Sequence, residues 1–298
     1  MLTVNGLVKT FGSMTAVKDV SFVVEPGTIL GLIGQNGAGK TTTFRMILQF
    51  LWPEAGTVRW QERALTRGDY DMLGYLPEER GLNQKMTVEE QILFFAELRG
   101  KKRSEIRPQI DGWMEKFDVK GRKKDKIKNL SKGNQQKVQL IATLIHHPKL
   151  IILDEPFSGL DPVNAGLLKD GILQMKQEGA CIIFSSHNME NVEQISDRLV
   201  MLRSGQTVLS GTVSEVRESF GRTRLYLESP LPAEQLEKMP GVSRVERAGR
   251  GLEVTLSDPD AGRFIFRQAT AAGYIPAFNQ QPPTLEDIFK LKAGASHG

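Results

Sequence analysis

Residues 27–42 read "GTILGLIGQNGAGKTT". The apolar run "TILGLI" passes directly into a glycine-rich turn, and a helical pattern begins near Lys40. Strand, glycine loop and helix in that order turn bare backbone N–H groups toward an anion, at the positive end of a helix. Gly34-Gln35-Asn36-Gly37-Ala38-Gly39-Lys40-Thr41 has the spacing G-x-x-x-x-G-K-[ST]. The glycines let the backbone close around phosphate oxygens. Lys40 is expected to neutralise β- and γ-phosphates and Thr41 to place its hydroxyl on Mg²⁺, with Thr42 completing the binding loop. Phe44, Ile47 and Leu48 share one face of the helix that follows.

Two later stretches belong to the same sheet. "KLIILDEP" (149–156) and "ACIIFSSH" (180–187) are continuous apolar runs ending in polar residues, the pattern of parallel strands buried on both faces. Open α/β sheets bind ligands at the carboxyl ends of such strands. Asp154 is expected to hold Mg²⁺, directly or through water. Glu155 is expected to take a proton from an attacking water, a role that contributes ~10²–10⁴-fold. A helix-start pair is the alternative for these two acids. His187 ends the other strand, where an imidazole can bond the γ-phosphate or the attacking water; a packing role is its alternative. His146 and His147, at a helix end, and His297, in the tail, are expected at the surface.

The first thirty residues read as short strands, and "AGTVRWQERAL" as a small hairpin. From Thr87 the pattern turns helical. Thr87 and Glu90 have capping-box spacing ahead of "QILFFAEL", Gly100 ends that run, and "IRPQIDGWMEKF" forms a second helix. "LSKGNQQKVQL" (130–140) opens a further helix at Ser131, with Val138, Ile141, Ala142 and Ile145 on one stripe and Pro148 as its stop. This is a second anion-facing helix end, with serine and glycine where the backbone must be bare. "RLVMLRSGQTVLSGT" is a hairpin. Beyond Phe220-Gly221 the order β-α-β-β-α-β suggests a ferredoxin-like domain, closed by a helix starting at Thr284.

The chain's 298 residues favour two domains, and its 40% hydrophobic and 25% charged residues are those of an ordinary globular protein. No apolar run reaches the roughly 18–20 residues that cross a bilayer. The opening residues alternate like a strand and lack a signal-peptide layout. The single cysteine, Cys181, permits no internal disulfide and fits a reducing cytoplasm. Thirteen Lys or Arg stand against five Asp or Glu between Leu98 and Lys132, an excess larger than the whole chain's +4. Such a stretch is either a solvated helical face or a surface for an anionic partner. It lacks the interleaved aromatics of single-strand nucleic-acid binders.

Taken in order, "GQNGAGKTT", "LSKGNQQK", "LIILDEP", "FSGLD" and "SSH" resemble the ATP-binding subunit of an ATP-binding-cassette (ABC) transporter, over roughly residues 1–220. The resemblance implies an α/β fold, a P-loop NTPase core of the ABC ATPase type, with an antiparallel β subdomain and a helical subdomain at about 85–130. Residues 222–298 would be an accessory α+β domain. ATP and Mg²⁺ are the implied cofactors, and ATP hydrolysis the implied activity. In that family the residues matching Ser131 and Gly133 bind the γ-phosphate of ATP held on a second ATP-binding subunit, identical or not. Phe11 matches the aromatic that stacks on adenine, with a core phenylalanine as the alternative. Asp161 matches the loop that couples the two sites. Glu78 falls where the family usually has a glutamine that reaches Mg²⁺ and reports to the membrane subunit. Lys132 and Asn134 also depart from the usual signature.

Membrane work would require separate transmembrane permease subunits, placing the chain in the cytoplasm, peripheral on the inner membrane face. "TLEDIF" resembles the extension on exporters of the ABC-2 type, including those proposed for drugs and sodium. The alternatives are a soluble cassette ATPase acting on nucleic acid or ribosomes and a nucleotide-binding regulator that hardly hydrolyses. The first kind usually carries a long coiled coil or two cassettes, and neither is present. Direct nucleic-acid contact is not expected.

Overall fold

Alternating apolar residues build the first sheet. In the computed structural model, which describes residues 1–79, 81–271 and 273–294, β1 (Leu2–Phe11) and β2 (Met14–Val24) form a hairpin turning at Gly12. His297 lies outside the described residues. Leu2, Val4, Leu7, Val17, Val20 and Val24 point to one side and are buried. β3 (Ile29–Ile33) is buried throughout and leads through the glycine loop into α1 (Lys40–Ile47). β4 (Ala55–Trp60) and β5 (Arg63–Ala64) form the small hairpin, and β6 (Leu73–Leu76) follows. Next come α2 (Val88–Leu98), α3 (Arg103–Ile106) and α4 (Ile110–Lys116). Then α5 (Lys132–Leu144), β7 (Leu150–Leu153), α6 (Pro162–Gln177), β8 (Cys181–Ser186) and α7 (Met189–Ile195) complete the alternation, before the hairpin of β9 (Arg198–Arg203) and β10 (Gln206–Thr212).

An antiparallel sheet has the order β2-β1-β4-β5, and a six-stranded sheet the order β10-β9-β3-β8-β7-β6. In the second, β9, β3, β8, β7 and β6 are parallel. Their carboxyl ends therefore lie along one edge, and the loops that leave them meet there. One apolar cluster joins the two sheets, from Leu2, Leu7 and Val20 to Leu32, Phe44, Ile152 and Ile183.

The helical segment forms as its caps dictate. Thr87 Oγ1 accepts from Glu90 N–H at 3.2 Å, and the Glu90 carboxylate accepts from Thr87 N–H at 2.8 Å. The expected second helix, residues 106–117, is regular only over α4 and opens with a tighter turn over Arg107–Gln109, because Pro108 brings no N–H to a regular helix; α3 lies before it. Its basic residues are largely solvent-facing. Arg103, Arg107, Lys120 and Lys123 pair with Glu97, Glu89, Asp118 and Asp111, solvent-screened surface contacts that add little stability.

The chain divides into two compact units, Met1–Ser210 and the residues from Gly211 onward. The sequence expectation drew its line at residue 220. α8 (Val213–Glu218) goes with the second unit, where it meets the last helix and Arg217 donates to the carbonyls of Pro282 and Pro283. That unit continues as β11 (Arg224–Glu228), α9 (Ala233–Leu236), β12 (Val242–Ala248), β13 (Gly251–Leu256), α10 (Ala261–Thr270), β14 (Ala277–Gln281) and α11 (Leu285–Gly294). Its antiparallel sheet has the order β12-β13-β11-β14 over its own core of Leu225, Leu227, Leu236, Val254, Leu256 and Ile265. This is the ferredoxin-like β-α-β-β-α-β arrangement.

One histidine corrects the sequence reading. His147 is exposed and bonds Glu178, but His146 is buried, with Nε2 donating to the Leu73 carbonyl at 3.1 Å. The end of α5 lies against β6, a contact that helix position alone does not reveal. Nδ1 of His146 has no hydrogen-bond partner among the described residues. Burial pushes the imidazole down to about 4 from the ordinary 6.5. A histidine held neutral by folding stabilises fully above its unfolded value, and that stability is lost as pH falls from about 6.5 toward 4. The loss amounts to about 3 kcal/mol. Denaturant unfolding across this window should show the loss, and His146→Gln, which keeps a donor for Leu73, should flatten it. Parallel pH profiles for the two proteins would contradict the assignment.

Candidate active site

The glycine loop is braced from behind. Gly205, in the β9–β10 turn, donates its N–H to the Ala38 carbonyl at 3.1 Å and accepts from Lys18 N–H at 2.7 Å. Gly39 has φ +105, and a Cβ there would stand 2.6 Å from the Ala16 carbonyl oxygen. Both facts demand glycine. The loop is thus clamped between β2 and the β9–β10 turn. Gly34, Gln35, Asn36, Gly37 and Ala38 form its span, and Thr41 and Thr42 lie in the first turn of α1.

Lys40 is buried, and its ammonium donates to the carbonyls of Gly34 at 2.7 Å and Gln35 at 3.2 Å. Burial pushes its pKa down, an effect partly offset by the carboxylates of Glu155, Asp154 and Glu78. All three acids therefore surround one cation, as the ends of β7 and β6 require. Asp154 is 2% exposed. Thr41 Oγ1 donates to its Oδ2 at 3.0 Å, and Ser185 Oγ donates to its Oδ1 at 2.6 Å. Sequence reading assigned nothing to Ser185. The signal available was its spacing of two from His187 on one strand.

Glu155 adopts φ +49, rare for a residue with a side chain. Its Oε2 accepts from His187 Nδ1 at 2.8 Å. The carboxylate is largely covered while the imidazole is 64% exposed. With Nδ1–H directed to Glu155, Nε2 faces outward. Glu78 and Glu79 line a cleft of about 450 Å³ with Gln136, Gln139, Asp154, Glu155, Ser158 and Gly159.

Ser131 and Gly133 are not among the described residues lining that cleft. Ser131 caps α5, and its Oγ accepts from Asn134 N–H at 3.3 Å and Asn134 Nδ2 at 2.9 Å, so its own O–H points a proton elsewhere. Asp161 caps α6 in the same way, accepting from Asn164 N–H at 3.0 Å, which lowers its pKa. A Cβ on Gly133 would come within 4.0 Å of Asn164 Nδ2, so the two helix starts are neighbours. Ser131, Gly133 and Asp161 thus belong to two neighbouring helix starts. Lys132 is exposed.

Phe11 is 47% exposed at the tip of the β1–β2 hairpin, with the Lys9 ammonium 5.7 Å from its ring centre. It is not a core phenylalanine. The same hairpin carries Ala16 against the glycine loop, so Phe11 and the loop share one end of the molecule.

A P-loop braced in this way, with an acidic pair at the end of β7, two strands across the sheet from β3, is the site of a nucleotide-hydrolysing P-loop protein. The family model for ABC transporters matches residues 17–158, and that for the C-terminal domain of DrrA1-3-like ATP-binding proteins matches residues 211–293. The ABC transporter ATP-binding protein YhaQ of Bacillus subtilis is 40% identical over 295 residues, 99% of each chain. The Nod factor export ATP-binding protein I of Rhizobium etli is 31% identical, over 96% of this chain and 91% of that one. A solved ATP-binding subunit of an ABC transporter matches 74% of this chain and 93% of its own, with TM-score 0.69 and 31% identity. The chain belongs to the ABC transporter family as an ATP-binding subunit, an ATPase whose hydrolysis powers transport. Such subunits work with transmembrane permease subunits, and no helix among the described residues is long and apolar enough to cross a membrane.

Gly39→Ala should weaken ATP binding about tenfold or more, because the added methyl must move either the loop or Ala16 from a strained backbone position. Titration with a fluorescent ATP analogue measures this, and wild-type affinity would contradict the clamp.

Proposed function

We propose that this chain hydrolyses MgATP in a sandwich made with a second ATP-binding subunit, identical or related, and so drives separate permease subunits, in the direction of export. The observation that supports this reading is a pair of polar-capped, exposed helix starts, Ser131 on α5 and Asp161 on α6, with Gly133 and Asn164 as neighbours. The Lys40 group can grip a triphosphate from one side but leaves its outer face open. The Ser131 group has an exposed hydroxyl, a bare glycine and a positive helix end, and nothing of its own chain is bonded to that hydroxyl's proton among the contacts of Ser131 described above. A partner's nucleotide would supply what it lacks.

Within each site, Gly34 to Thr42 would wrap the phosphates, and Phe11 would stack on the adenine. Thr41 and Asp154 fit Mg²⁺: a hydroxyl and a carboxylate oxygen 3.0 Å apart are the hard donors it takes beside phosphate oxygens. Glu78 would join them on the cleft's rim. The ion would supply charge neutralisation on the phosphates. His187 occupies Oε2 of Glu155, which leaves Oε1 to accept the proton of the attacking water. Nε2 of the same exposed ring would be free to bond the γ-phosphate. Asp161, beside Ser131, would link the two sites across the dimer.

The first unit, residues 1–210, would thus make the ATPase domain and the residues from Gly211 onward an accessory domain. Its regulatory or dimer-stabilising role would appear as a changed ATPase rate or dimerisation on deletion. The permease face is supported by Phe50 and Trp52, 61% and 70% exposed, of which Phe50 packs edge-on against Tyr75 of β6, the strand leading to Glu78. On this reading the chain would work in the cytoplasm, on the inner membrane face. Export is supported by the relative named for Nod factor export.

Glu155→Gln should lower turnover by about 10²–10⁴-fold while ATP binding persists. Steady-state hydrolysis and equilibrium binding measured together decide it. Equal turnover in the two proteins would remove Glu155 as the base.

A further inference from the structure

β8 runs into the polar residues Ser185, Ser186 and His187, and alternate positions on a strand face the same side. Ser185 and His187 both reach the end of β7. Ser186 turns to its own loop, where its hydroxyl accepts from Asn188 N–H at 3.0 Å. The parallel register sets Leu153 beside Phe184, so Asp154 falls next to Ser185.

Ser185 has no exposed surface. Its O–H donates to Asp154 Oδ1 at 2.6 Å, and the same oxygen accepts from Glu155 N–H at 2.8 Å. One buried hydroxyl therefore grips both acids, one by its carboxylate and the other by its main chain. With Oδ1 held on this side, Oδ2 is turned to Thr41. The main-chain bond falls on a residue at φ +49, a conformation that persists only where its surroundings enforce it.

We propose that Ser185 is a positioning residue of the ATPase site. It fixes the Asp154 carboxylate for the metal and holds Glu155 in its left-handed turn, so that the base and the metal ligand keep one geometry. This rests on the roles proposed above for Asp154 and Glu155. Removing the hydroxyl takes a charge-assisted bond from Asp154 and leaves the Glu155 N–H without its partner. Losses of this kind correspond to roughly 10- to 100-fold in rate.

The test compares Ser185→Ala and Ser185→Thr with Glu155→Gln in the full chain. Two readouts are taken: steady-state hydrolysis, and the affinity for a non-hydrolysable ATP analogue with Mg²⁺ and with a chelator. Ser185→Ala should lose roughly 10- to 100-fold in kcat with KM for ATP nearly unchanged. Its gain in analogue affinity from Mg²⁺ should shrink, while affinity in chelator stays as in the wild type. Ser185→Thr keeps the hydroxyl and should recover both. If Ser185→Ala does not fold, Ser185→Cys, similar in size and a weak donor, takes its place. Wild-type kcat and Mg²⁺ response in the hydroxyl-free protein would overturn the proposal. So would an equal loss in Ser185→Thr, which would assign the effect to packing. Should Glu155→Gln hydrolyse normally while Ser185→Ala still loses its Mg²⁺ response, the base assignment fails and the hold on Asp154 stands.

Discussion

A carboxylate that is 2% exposed, at the end of a buried strand, is the constraint on which this structure turns. Desolvating such a group is costly unless its oxygens are bonded. Asp154 meets that demand with two hydroxyls, one from α1 and one from β8, and a cation is nearby in Lys40. Each partner imposes geometry. Thr41 must follow directly on the glycine loop, and Ser185 must sit beside Asp154 in parallel register. The order of strands β3, β8 and β7 satisfies both.

From this follows the division of labour between strand ends. β3 delivers the phosphate loop, β7 the acids and β8 the residues that hold them, with β6 leading to Glu78. The loop itself depends on distant backbone, since Gly39 fits only because Ala16 comes so close, and the turn at Gly205 ties Ala38 in place. The antiparallel sheet is thus more than a cover for the core. It brings Phe11 to the same hairpin that holds Ala16 against the glycine loop. A glutamate at position 78 places a third acid near Lys40, so the ammonium sits among more negative charge than a glutamine there would give.

Much of this was legible in the sequence because the signals are local. The glycine loop, the capping pair Thr87 and Glu90, and the apolar strands ending at Asp154 and His187 each announce themselves within a few residues. What failed was tertiary. His146 looked like an exposed helix end because nothing in its neighbourhood tells that Leu73 covers it. Pro108 confines the regular part of the helix expected over 106–117 to α4. Ser185 passed unnoticed, since a hydroxyl in an apolar strand acquires meaning only when the adjacent strand is known. The ferredoxin-like order was readable from alternation. The boundary before it was harder, because α8 follows β10 in sequence but packs with the last helix.

The account rests on a nucleotide closed between two subunits, so its most direct test is the mass of the assembly. Glu155→Gln, saturated with MgATP, should sediment as a dimer, alone or with its membrane companions, and return to monomer when the nucleotide is removed or Ser131 is replaced by arginine. A protein that stays monomeric under all these conditions, while still binding ATP, would contradict it.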